Sequence, residues 1–176
     1  VNLRVLPLTA LAFLTACQNM PEPYAPPEQR QPFENFRPYR ISRVVNMADG
    51  DVDAHIVSGI TQISGGSWRW AEQRPTVRLT VRSADHLKYT IDFTIAGTTF
   101  DQTGPVTVSF FVNDHQIGSE RYAAQGNQHY ETPVPDGLVE ANKEVTVAAE
   151  IDKLFTPPEG GQRLGFILTR IGLKQE

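Results

Sequence analysis

Leu87-Lys88-Tyr89-Thr90-Ile91-Asp92-Phe93-Thr94-Ile95 alternates an apolar residue with a polar one over its whole length. Successive side chains on a strand point to opposite faces, so Leu87, Tyr89, Ile91, Phe93 and Ile95 share one face and Lys88, Thr90, Asp92 and Thr94 the other. A helix would scatter both sets around its axis. The stretch therefore reads as a strand with one buried side, which needs a second apolar layer to cover it.

The same period recurs on both sides. Val77, Leu79 and Val81 alternate with Thr76, Arg78 and Thr80; further on come Val106, Val108, Phe110 and Val112, then Val145, Val147, Ala149 and Ile151. A strand near 117–123 and a final one over 163–173 complete the expected set. Turn formers separate them: Ser83-Ala84-Asp85, Gly97, Asn113-Asp114, Gly126-Asn127, Pro135-Asp136-Gly137 and Gly160-Gly161. Asn113-Asp114-His115-Gln116 has the chemistry of a hairpin connection. The one stretch with helical character is 136–143, two turns at most. The expected fold is all-β, an antiparallel two-sheet β-sandwich, jelly-roll-like, covering residues 41–176. An immunoglobulin-like sandwich is the second choice, because its cysteine pair is absent.

Ahead of this domain, residues 18–40 hold six prolines and no Leu, Ile or Val. Such a segment cannot bury enough apolar surface to offset its ordering entropy. It reads as a tether, 17–40, reaching on the order of 70 Å if extended as polyproline II. Tyr24, Phe33, Phe36 and Tyr39 lead us to expect its last ten residues to dock partly on the domain.

Before the tether, Val5 to Leu14 is apolar apart from Pro7 and Thr9. A membrane-crossing helix needs roughly 20 apolar residues and a signal-peptide core about 7–15, so export fits and a permanent span does not. The run closes in Leu14-Thr15-Ala16-Cys17, which resembles the lipobox of bacterial lipoproteins. The resemblance implies a signal peptide at 1–16 and lipidation, including palmitate-type chains, at Cys17. The partner would be a membrane and the location the cell envelope, outside the cytoplasm, periplasmic or surface-facing. Cys17 is the only cysteine, so the domain has no internal disulfide.

The chain carries 16 Lys and Arg against 20 Asp and Glu, and cleavage before Cys17 would remove only Arg4 among them. An acidic chain without a basic cluster is not a nucleic-acid binder, since phosphate contacts require a basic surface.

Several residues are candidates for chemistry. Trp68 and Trp70 are two apart and on a strand would share a face; exposed, they would form a platform on which a sugar ring stacks, with Arg69 or Arg74 as donors. The alternative is that both indoles cover one end of the core. Asp49, Asp51 and Asp53 resemble the start of a calcium loop, but Ala54 and Ile60 stand where an EF-hand needs glycine and glutamate. What remains is an irregular calcium site or a solvated acidic turn. Asp51-Val52-Asp53 also matches a glycosyltransferase metal motif, which requires an α/β fold foreign to this pattern.

His55, His86, His115 and His129 show no paired zinc spacing. No G-x-S-x-G elbow occurs. Glu150 and Asp152 would share a strand face, where a salt bridge to Lys153 or Arg163 is the ordinary use. The loop 154–161 reads as a long connection. No enzyme and no cofactor is expected.

Trp68-Arg69-Trp70, Arg74-Pro75-Thr76, the run from Gly104-Pro105 to Val112-Asn113 and that from Arg163-Leu164-Gly165 to Ile171-Gly172 together resemble the β-sandwich accessory domains found beside bacterial glycosyltransferases, and related surface lipoproteins. The resemblance runs over about 105 residues and implies a carbohydrate-associated module. The expected function is a non-catalytic, lipid-anchored carbohydrate-binding module of the cell envelope. The competing expectation is a structural or assembly lipoprotein that docks another envelope protein.

Overall fold

The computed structural model describes residues 44–158 and 161–175. Cys17 and the stretches expected to be a signal peptide (1–16) and a tether (17–40) lie outside the described residues. Among the described residues nine strands form: β1 (Val44–Asn46), β2 (Ile56–Ser64), β3 (Arg69–Thr80), β4 (Leu87–Ile95), β5 (Val106–Val112), β6 (His115–Tyr122), β7 (Gly126–Pro133), β8 (Glu144–Ile151) and β9 (Ile167–Gln175). All pairings are antiparallel.

Hydrogen bonding runs in the order β6-β5-β8-β3-β9-β4-β7, with β1 added at β9 and β2 at β3. This path folds into two facing layers because β3 belongs to both. Its first residues, Arg69 and Trp70, pair with Leu168 and Ile167 of β9, whereas Thr76 to Thr80 pair with β8. One layer is β6-β5-β8-β3-β2 and the other β1-β9-β4-β7. Chain connections cross between layers at β1–β2, β3–β4, β4–β5, β6–β7, β7–β8 and β8–β9, which gives the jelly-roll-like wrap of the expected sandwich.

The core lies between the layers and follows the alternation. Leu87, Tyr89, Ile91, Phe93 and Ile95 are all buried, as are Val77, Leu79, Val81, then Val106, Val108, Phe110 and Val112 of β5 and the apolar residues of β8. Rings interlock across the gap. Tyr89 of β4 meets Phe110 of β5 at 5.6 Å, and Phe93 meets Tyr122 of β6 edge-on at 5.3 Å. Tyr130 of β7 stacks on Phe110 at 3.8 Å. The buried Tyr89 hydroxyl donates to the Ala148 carbonyl of the opposite layer at 3.0 Å, satisfying the one polar atom that the ring brings inside. Burial, with Tyr130 and Tyr122 adding to it, holds the Tyr89 phenol well above its ordinary pKa.

Four elements depart from the expectation. Strand β7 occupies Gly126–Pro133, where Gly126-Asn127 was expected to turn. Strands β1 and β2 precede the first expected strand. The helical segment is α1 (Gly97–Thr103), not 136–143, which forms only turns and bends. With Pro135 and Gly137 at its start and Asn142 at φ 60°, the latter stretch has too little helix-compatible backbone to nucleate one.

Candidate functional site

The β2–β3 hairpin carries both tryptophans. Its tip, Ser64-Gly65-Gly66-Ser67, is closed by Gly65 N–H donating to the Trp68 carbonyl at 3.1 Å. The Trp68 indole lies against Gly65: a Cβ there would stand 2.3 Å from the ring. Trp68 just precedes β3 and Trp70 is its second residue. Both are partly exposed and neither belongs to the apolar cluster between the layers. Ile63, near the end of β2, is exposed.

The two arginines expected beside them are held elsewhere. Arg69 Nη1 donates to Asp53 Oδ1 at 2.6 Å, and only 12 % of the Arg69 side chain is exposed. Arg74 lies beyond a bulge: between the pairs Ile60–Ala71 and Ser58–Thr76, two steps along β2 oppose five along β3. Its guanidinium covers the Phe111 ring at 4.3 Å, donates to Asp114 at 2.8 Å and lies 3.7 Å from Glu150. Charge, cation–π and packing thus fix it over the β5–β8 surface.

The bulge exists because two glycines admit it. Gly59 has φ +70°, and a Cβ there would meet the Arg74 carbonyl oxygen at 2.3 Å; at Gly165 a Cβ would lie 2.7 Å from the Glu72 carbonyl oxygen. The backbones close on the segment from both sides. Beside it opens a depression of about 420 Å³, lined by Ser58, Gly59, Glu72, Arg74, Leu154 and Arg163. Glu72 accepts from Gln162 within it.

The three aspartates do not form the calcium site that was considered. A 3-10 turn at Val52–Ala54 interrupts their alternation. Asp49 turns back to accept from Asn46 N and Nδ2 at 3.3 and 3.2 Å, while Asp53 faces Arg69. Among the described residues no three His, Cys, Asp or Glu side chains gather as a metal site. The histidines are dispersed: buried His55 donates through Nδ1 to the Arg78 carbonyl, and His115 through Nδ1 to that of Asn113. Glu150 meets Arg74, not Lys153 or Arg163. Asp152 accepts from Thr107 N at 2.8 Å, and Lys153 donates to the carbonyls of Thr103 and Pro105. These acids secure strands.

No family model matches the chain, and no curated protein matches it in sequence. Among solved structures it is similar to a family 35 carbohydrate binding module from an environmental isolate, at 14% identity and TM-score 0.42, covering 76% of this chain and 96% of that one. A CBM35 from Cellvibrio japonicus Abf62 is similar at 12% identity and TM-score 0.36, covering 75% and 95%. BtGH115A, a family GH115 4-O-methyl-α-glucuronidase with specificity for decorated arabinogalactans, is similar at 9% identity and TM-score 0.40, over 62% of this chain and 14% of that one. With none reaching a TM-score of 0.5, nothing about ligand passes from them to this chain. What stands is an antiparallel β-sandwich that keeps its two tryptophans outside the core.

Proposed function

We propose that the chain is a non-catalytic carbohydrate-binding β-sandwich, held to the outer side of a cell membrane by lipid on Cys17, with Trp68 and Trp70 as the stacking residues. The position of the two indoles carries the reading. They lie outside the buried apolar cluster and are partly exposed, and the apolar ring faces of indole match the C–H faces of a pyranose. Trp68, seated on Gly65, has little rotamer freedom to lose when a sugar binds. Arg69 keeps its ion pair with Asp53, and Arg74 those with Asp114 and Glu150.

A glycan array with the full chain, beside a Trp68→Ala/Trp70→Ala variant of unchanged melting temperature, tests this. Saturable binding lost in the variant is the expected result; binding that survives it overturns the site. Cys17→Ser with mass analysis of the membrane-associated protein tests the anchor, which predicts acyl mass on Cys17 and loss of membrane association in the variant.

A second reading, assembly with another envelope protein, is favoured by β2. From Ile56 to Trp68 there is no charged residue, and Val57 and Ile63 are exposed at 49% and 51%. β2 pairs only with β3, so one strand edge carries no partner among the described residues. Edges left uncharged accept strands from other chains. Recovery of one defined partner with the wild type, lost on Val57→Lys/Ile63→Lys, would favour assembly.

A further inference from the structure

The outward face of β7–β4–β9 carries a second polar depression, of about 350 Å³, away from the hairpin tryptophans. A bulge in β9 shapes it. Pairing steps from Asp92–Arg170 to Phe93–Leu168, so Thr169 is an extra residue and is exposed. Phe93, Thr94, Asn127, Gln128 and His129 line the remainder with Asp92.

Charges on this face are mutually compensated. Asp92 receives Arg170 through one oxygen and His129 Nδ1 through the other. His129 Nε2 lies 3.4 Å from Glu131, which also meets Lys174 and accepts from the Thr90 hydroxyl at 3.1 Å. The Lys174 contact first, then the Thr90 hydroxyl and charge from Lys174 and His129, hold the Glu131 carboxyl below its ordinary pKa. Thr94 Oγ1 donates to Asn127 Oδ1 at 2.7 Å, leaving the Asn127 amide N–H groups uncommitted. The Thr169 hydroxyl has no hydrogen-bond partner among the described residues.

The uncommitted groups are thus neutral donors and acceptors. An anionic ligand would face Asp92 and Glu131, and a cationic one would have to displace Arg170 or Lys174. We infer that this face is a second binding site, for a neutral polyhydroxylated ligand of single-ring size, held by hydrogen bonds to Asn127 and Thr169. The neutral hydroxyl-bearing class follows from this face alone; the choice of a sugar within it rests on the proposed glycan-binding function. The site works without an aromatic platform, so it is weak and independent of Trp68 and Trp70.

Amide chemical-shift titration of the full chain tests it, with D-glucose, D-galactose and D-glucuronate as probes. Saturable shifts confined to residues around 127–129 and 169 are expected with at least one neutral sugar. They persist in Trp68→Ala/Trp70→Ala, and affinity falls about tenfold or more in Asn127→Ala/Thr169→Val. Glucuronate is expected to give none. Absence of saturable shifts there with both neutral sugars overturns the site, as does equal response to glucuronate, or undiminished binding in a folded Asn127→Ala/Thr169→Val variant. Binding here with none at the hairpin would overturn only the tryptophan site.

Discussion

The Arg69 guanidinium lies 2.6 Å from the Asp53 carboxylate, joining the start of β3 to the turn that precedes β2. The pair links two residues whose sequence settings suggested separate sites, one for sugar and one for calcium. Asp53 is 68% exposed, so water screens the attraction. A double-mutant cycle with Arg69→Met and Asp53→Asn, followed by urea unfolding, is expected to give a coupling of about 0.2–1 kcal/mol, falling with added salt. Millimolar calcium should leave the melting temperature of the wild type unchanged; a rise would restore the calcium reading.

Gly59 and Gly66 both have positive φ but differ in surroundings. A Cβ at Gly59 meets the Arg74 carbonyl, whereas one at Gly66 meets nothing within 4 Å. Gly66→Ala should therefore cost only the backbone term, about 1–2 kcal/mol. Gly59→Ala adds a clash with main chain that cannot swing aside and should cost clearly more, roughly 3 kcal/mol or above. Equal losses in urea denaturation would show that the bulge is not locked as described.

Tyr89 makes stability fall in alkali. Its phenol titrates higher in the folded chain than in the unfolded one, so its contribution is fully present below the unfolded value near about pH 10. It is lost as pH rises above that value, because only the unfolded state readily gives up the proton. The slope for this phenol approaches about 1.4 kcal/mol per pH unit. Tyr89→Phe should flatten the decline while lowering neutral-pH stability by roughly 1 kcal/mol through loss of the bond to Ala148. Unfolding midpoints measured between neutral and strongly alkaline pH separate the two effects.

Trp68 and Trp70 can be removed cheaply. Neither fills the core, so Trp68→Ala/Trp70→Ala should cost well under the roughly 3–5 kcal/mol typical of a buried tryptophan. A loss in the buried range, read from the same denaturation curves, would return both indoles to a packing role.

Strands were legible where one face is buried along the full length. β4, β5 and β8 bury nearly every alternate side chain, so their period survives in the sequence. β7 is an edge strand in which Gln128, Tyr130 and Thr132 alternate with Asn127, His129 and Glu131, and only Tyr130 joins the core, so composition resembles a loop. β2 was hidden by its irregular register and by Gly59. α1, Gly-Thr-Thr-Phe-Asp-Gln-Thr, has weak intrinsic helix preference and no side-chain cap; the fold imposes it. The tryptophan pair was visible because its spacing is local. The Asp92–His129 contact spans 37 positions and exists only once β4 and β7 are paired, so no local spacing announces it.

β9 lies inside its layer, flanked by β4 along most of its length and by β1 and β3 at the other edge, although residues 167–175 follow every strand that it joins. Until those residues leave the ribosome, β4 has no inner neighbour and β3 no route into the second layer. A growing chain can therefore form the β5–β6 hairpin but cannot close the sandwich.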